Sequence, residues 1–77
     1  MIEAYVLIQT KIGKLESAAS EASRITRVAS AAVIAGPYDM IVRVVAEDVD
    51  SLGRLVVSKI QAIDGVTRTL TCPTLHL

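Results

Sequence analysis

Apolar residues along this chain recur at two spacings, two residues and about 3.6, and the two spacings alternate in one order. Ile2 to Thr10 is rich in Val, Ile, Leu and Tyr and reads as a strand. One face carries Ala4, Val6 and Ile8; the other carries Tyr5 and Leu7 between Glu3 and Gln9. Gly13 breaks that pattern. From Lys14 to Ile25 the apolar positions Leu15, Ala18, Ala19, Ala22 and Ile25 fall at helical spacing, a narrow stripe of small residues suited to lying close on a sheet. Val28 to Ala35 is a second strand, and Met40 to Ala46, with Arg43 as its one charge, is a third. The turn Gly36-Pro37-Tyr38-Asp39 joins them as an antiparallel hairpin, with Pro37 fixing its own φ and Gly36 tolerating any backbone. Asp48 is placed to cap a second helix and Asp50 to sit in its first turn. That helix turns Val49, Leu52, Val56, Ile60 and Ile63 to one side and ends at Asp64-Gly65. A last strand, Val66 to Cys72, puts Thr67, Thr69 and Thr71 on one face and Val66, Leu70 and Cys72, with Arg68, on the other; Pro73 closes it. The order β-α-β-β-α-β predicts an α+β, ferredoxin-like fold: a four-stranded antiparallel sheet with two helices on one face. Because both faces of the first strand are apolar, the bare sheet face is expected to be buried against a second copy.

Size sharpens that expectation. A chain of 77 residues makes one domain, residues 1–77, and a domain this short buries only about 60% of its unfolded surface. Cys72 is the only cysteine, so no disulfide can compensate, and Cys72 with His76 falls short of the four ligands of a structural zinc site. An apolar content of 52% then points to subunit contacts. Eight basic and eight acidic side chains, scattered and summing to zero, give no basic stripe for a phosphate backbone. No window approaches ~20 consecutive apolar residues, and Met1-Ile2-Glu3-Ala4-Tyr5 lacks the positive start of a signal peptide. A cytoplasmic protein, with no membrane, metal or cofactor partner, is expected.

The chain holds no Gly-rich phosphate loop, paired histidines, GxSxG elbow or CxxC. Glu47, Asp48 and Asp50 read as a solvated helix start, His76 as an inert terminal residue, and Cys72 as a small buried hydrophobe. Three features allow more. Tyr38 and Asp39 stand at a hairpin tip, as ordinary turn chemistry or as a phenol and a carboxylate for a ligand. Leu55 and Lys59, four apart, stack on one helix face at the rim of the apolar arc, where a lysine can simply snorkel. The threonine row is either a solvated strand face or a set of hydroxyl partners. A carboxylate, a phenol, an ammonium and hydroxyls together suit a small zwitterion.

The stretches Gly36-Pro37-Tyr38-Asp39-Met40-Ile41-Val42-Arg43-Val44, Asp50-Ser51-Leu52-Gly53 and Ile63-Asp64-Gly65-Val66-Thr67-Arg68-Thr69-Leu70-Thr71 resemble the Lrp/AsnC effector-binding (RAM) domain. The resemblance covers almost the whole chain and keeps the G-x-Y-D turn, the helix and the G-V-x-R-T-x-T strand in order. It implies a dimer formed through the sheets (a dimeric α/β barrel) and dimers associated into rings, commonly an octamer of four dimers. It also implies a small effector, usually an amino acid, bound where dimers meet. The family's effector positions correspond here to Gly36, Tyr38, Asp39, Met40, Leu55, Lys59, Thr69 and Thr71. Where some members hold a basic effector with acidic side chains on the helix, Lys59 would repel one, so a neutral, apolar or acidic amino acid is expected. Family regulators carry a preceding helix-turn-helix domain; this chain starts at the first strand and looks like a stand-alone form. Transcriptional output is therefore expected through assembly or a full-length Lrp/AsnC regulator, without direct nucleic-acid binding and without catalysis. The alternatives are a cofactor-independent enzyme of the dimeric α+β barrel type and an ACT-like regulatory subunit.

Overall fold

The computed structural model describes residues 1–77. Its elements are β1 (Ile2–Thr10), α1 (Leu15–Ser23), β2 (Val28–Val33), β3 (Met40–Ala46), α2 (Val49–Leu55) and β4 (Val66–Pro73). Between α2 and β4, the helix continues as a π-helical segment, Val56–Ile60. The strands form one sheet in the order β2-β3-β1-β4, every neighbouring pair antiparallel. The order and pairing match the ferredoxin-like arrangement expected from the sequence.

Alternation along the strands decides what is buried. Ala4, Val6 and Ile8 of β1 and Met40, Val42, Val44 and Ala46 of β3 point to the helices, and all are buried. From above, α1 contributes Ala18 and Ala22, and the second helical run contributes Leu52, Val56 and Ile60, with Ile63 just beyond it. Ile8, Met40, Ile60, Val6, Val42 and Val44 are fully buried, each contributing about 1.5–3 kcal/mol of hydrophobic stabilisation. No polar or charged side chain is buried in this layer. No helix is long and apolar enough to cross a membrane.

The helices are shorter than their apolar stripes. Leu15 and Ile25 pack against the core, yet α1 ends at Ser23, and Arg24 and Ile25 close it by donating to Glu21 and Ala22 carbonyls. In the second helix Asp48 caps as expected: its carboxylate accepts from the Ser51 N–H at 2.8 Å. Regular helix stops at Leu55, and the Gln61 N–H donates five residues back to the Val56 carbonyl at 2.8 Å. This wider turn shifts the residues after it around the axis. Val49, expected in the apolar arc, is instead 69% exposed. Strand β2 stops at Val33, two residues early, and almost all of it is exposed.

Strand pairing settles one point the sequence left open, and two further expectations need correction. In β4 the threonines face the helices, because Thr69 pairs with Ile8 and Thr71 with Val6. Leu70 and Cys72 lie on the open face, opposite Leu7 and Tyr5, so Cys72 is exposed rather than buried within the subunit. Positive φ occurs at Gly13 and Gly65 and not at Gly36, so the hairpin turn does not use glycine's special freedom.

Candidate functional site

The eight positions expected to bind an effector are distributed over the end of the sheet, its β4 edge and the cleft between the helices. The Gly36-Pro37-Tyr38-Asp39 turn is tied to the end of β1 rather than free. Asp39 accepts through Oδ2 from the Thr10 N–H at 2.8 Å and from the Thr10 hydroxyl at 3.3 Å. Its own N–H donates to the Ile8 carbonyl at 2.9 Å, and Gln9 Nε2 donates to the Pro37 carbonyl at 3.3 Å. These bonds leave Oδ1 available at a tip where Gly36 is exposed and Tyr38 half-buried. Met40 is completely buried, so it supports the turn from within the core and presents no side chain to a ligand.

Thr69 lies at the same end of the sheet. Met40, Ile8 and Thr69 form one row across β3, β1 and β4, which puts Thr69 two strand spacings, roughly 10 Å, from the start of β3. The Gln61 amide donates to Thr69 Oγ1 at 2.9 Å. Gln61, Val66, Thr67, Arg68 and Thr69 line a hollow of about 260 Å³. Thr71 is elsewhere. With Val49, Leu52, Gly53, Val56, Val57 and Pro73 it lines a largely apolar hollow of about 320 Å³ between the second helix and the edge of the sheet.

Leu55 and Lys59 share a third hollow, about 360 Å³, with Glu21, Arg24, Ile25, Thr26 and Arg27 at the end of α1. The stacked pair is thus real, but it faces α1 and not the threonines. Its surroundings are basic. Arg24 and Lys59 have no acid within ion-pair distance, and Arg27 has only Glu47 at 3.8 Å. No group of three His, Cys, Asp or Glu side chains is placed to hold a metal ion.

Two features escaped the sequence reading. Gly53, Val57 and Gln61 form an i, i+4 stripe along the side of the second helix nearest β4, beside Thr71 and Thr69. The spacing was visible, but an apolar-polar-glycine series does not announce a face. The second feature is an Arg43–Glu3 ion pair of 2.6 Å on the open sheet face, a face whose apolar character was expected, where Tyr5, Leu7, Ile41, Val45, Leu70 and Cys72 surround it. Both partners of that pair are only about a third exposed (37% and 34%).

Comparison with known proteins agrees with this architecture. The family model described as the Lrp/AsnC ligand binding domain matches residues 3–76. No curated protein sequence matches significantly. Among solved structures, TTHA0845 from Thermus thermophilus is similar at 30% identity and a TM-score of 0.93, over 100% of this chain and 96% of that one. FFRP-DM1 is similar at 27% identity and a TM-score of 0.92, over 97% of this chain and 100% of that one. AsnC of Escherichia coli is 25% identical with a TM-score of 0.92; the match covers 99% of this chain and 52% of AsnC. A transcriptional regulator of Neisseria meningitidis, NMB0573, solved as a complex with L-Met, shares the fold at 14% identity and a TM-score of 0.88, over 97% of this chain and 50% of that one.

Proposed function

Because this chain belongs to the family of Lrp/AsnC ligand-binding domains, we propose that it is an amino-acid sensor whose effector site is completed between subunits. The regulatory, effector-binding role is the family's. The amino acid, the location between dimers and the ring of dimers are this reading's own additions. The observation that carries it is the division of the expected site: Asp39, Thr71 and the Leu55/Lys59 pair border three different regions of one subunit. A ligand the size of an amino acid cannot touch all three on one chain. It can do so where the turn of one subunit meets the second helix or β4 of another. The open apolar sheet face supports pairing into dimers, which would leave the turn, the helices and the β4 edge available for contacts between dimers.

In this reading Asp39 Oδ1 receives the effector's ammonium, while Oδ2 keeps the turn on β1. Thr69 and Thr71 supply hydroxyls, and Leu55 and Lys59 select the side chain in a basic hollow that favours neutral or acidic ligands. Output reaches transcription in the cytoplasm through the assembly or a full-length regulator of the same family. The rival, a cofactor-independent enzyme, needs a titratable group aimed between helices and sheet, and that layer is filled by apolar side chains.

Calorimetric titration of the assembled protein with the twenty amino acids tests the proposal; a sensor gives saturable binding, and no heat at millimolar ligand overturns it. The informative variant is Asp39→Asn, which retains an oxygen for Thr10 but loses the charge. It is expected to leave folding and dimers intact and to weaken binding by about 1.5–3 kcal/mol, roughly tenfold or more. Unchanged affinity would remove Asp39 from the site.

A further inference from the structure

The open sheet face carries two opposite charges between its central strands. Glu3 of β1 and Arg43 of β3 meet at 2.6 Å from adjacent rows of the register, Glu3 opposite Val45 and Arg43 opposite Tyr5. The sheet order β2-β3-β1-β4 makes β3 and β1 the middle strands, so the pair lies midway between the two edges. Around it the face is apolar, with Tyr5, Leu7, Ile41, Val45 and Leu70. The one other charge that the strands place on this face, Arg68, is exposed opposite Gln9 on the edge strand β4.

Within the subunit the pair is only half satisfied. Arg43 Nη1 donates to Glu3 Oε2, which leaves Glu3 Oε1 and the other guanidinium N–H groups to solvent. Covering the face removes that solvent, and charged groups left short of hydrogen-bond partners are strongly unfavourable. Each missing partner has the character of the other half of the pair. Glu3 needs a further cationic donor, and Arg43 a further acceptor. A two-fold related copy supplies both, because an isologous contact sets a patch against itself. About an axis through the pair, Glu3 meets the partner's Arg43 and Arg43 meets the partner's Glu3, a ring of four alternating charges.

We propose that the Glu3–Arg43 pair selects the partner subunit. The open face accepts a chain that presents a carboxylate and a cation in the same two places and rejects one that does not. A chain with apolar residues there would leave both charges short of partners, and one with the two charges interchanged would set like against like. The same condition applies to a full-length regulator, which joins this chain in a mixed dimer only if its own sheet carries the pair. The inference rests on the pairing of open faces in the sensor reading, and not on the effector.

The interchanged variant, Glu3→Arg with Arg43→Glu in one chain, is the direct test. It keeps an ion pair within the subunit and stays self-complementary, so it should fold and dimerise as wild type does, by circular dichroism and light scattering. Allowed to exchange with wild type, it should form mixed dimers at least about tenfold below their statistical share. Native mass spectrometry counts them, with one chain isotopically labelled because the interchange leaves the mass unchanged. The single variants give the complement. Glu3→Arg and Arg43→Glu should each weaken self-pairing about a hundredfold or more, and an equal mixture of the two, basic patch against acidic patch, should recover dimers. Mixed dimers of wild type and the interchanged variant in statistical share overturn the inference, as does a mixture of the single variants that stays monomeric. Either result leaves the pairing of open faces standing. A wild-type protein that is itself monomeric overturns both. Should the interchanged variant fail to fold, the mixture of single variants decides.

Discussion

A methyl group at Gly65 would have nowhere to go. The residue has φ +93°, and a Cβ there would lie 2.4 Å from Lys14 Cβ and 2.8 Å from Lys14 Cγ. The contact belongs to a clasp between two turns, in which the Lys11 N–H donates to the Gly65 carbonyl at 2.8 Å and Lys14 Nζ meets Asp64 at 3.0 Å. Gly65→Ala should therefore destabilise by at least the left-handed backbone penalty of about 1–2 kcal/mol, read as a lower urea midpoint at unchanged m-value. Asp48 makes a second prediction, of pH dependence. The Ser51 N–H, then the Ser51 hydroxyl, hold its carboxyl below the usual range. A lowered folded pKa means that the cap stabilises fully above the unfolded carboxylate value, about 3.9, and ceases to as pH falls through the folded one. Asp48→Ala should thus be less stable than wild type at neutral pH, with the gap in urea midpoint closing below pH about 4. A gap independent of pH would show that the charge plays no part in the cap. At this scale the sequence was readable. The Asp48 cap and the positive φ of Gly65 follow from local backbone chemistry, but the helical run stops at Ile60, so Gly65 shapes the turn before β4 and does not end the helix itself.

The second helix shows how far an element can be read and where reading stops. Its apolar spacing correctly put Leu52, Val56, Ile60 and Ile63 in the core. A wheel drawn at 3.6 residues per turn does not contain the π-helical segment Val56–Ile60, because that wider turn changes the angle between residues without altering composition. The helix accordingly has two working sides. Gly53, Val57 and Gln61 border the β4 edge, and Leu55 with Lys59 borders the end of α1. A prediction follows for that second side. Reversing the charge with Lys59→Glu, beside Arg24 and Arg27, should shift ligand preference from neutral or acidic toward basic amino acids. Calorimetry of both proteins with glutamate, leucine and lysine checks it; an unchanged order of affinities would separate Lys59 from ligand selection. The β4 strand teaches the same lesson. Alternation correctly grouped its threonines, but pairing with β1 was needed to show that they face the helices.

For the whole molecule, the open sheet face matters most. Leu70 is 47% and Tyr5 39% exposed there, around an ion pair whose two side chains are each about a third exposed. If this face pairs with a second copy, Leu70→Asp should leave the core of each subunit intact, since Leu70 is not part of it, and convert dimers to monomers in light scattering. A dimer that survives the substitution would move the interface to another surface.

The kinds of element, their order, the caps and the turns were legible along the chain, because each depends on residues within a few positions of one another. So was the apolar character of the first strand on both of its sides. Folding in three dimensions was needed to settle which face of each strand meets the helices, that Asp39 is anchored to Thr10, and that Leu55 with Lys59 lies apart from the threonines. The reason is physical. A period of two separates the faces of a strand without ranking them, and ranking depends on cross-strand register. Here one extra residue, Thr67, shifts that register between the Gln9–Arg68 and Thr10–Val66 pairs.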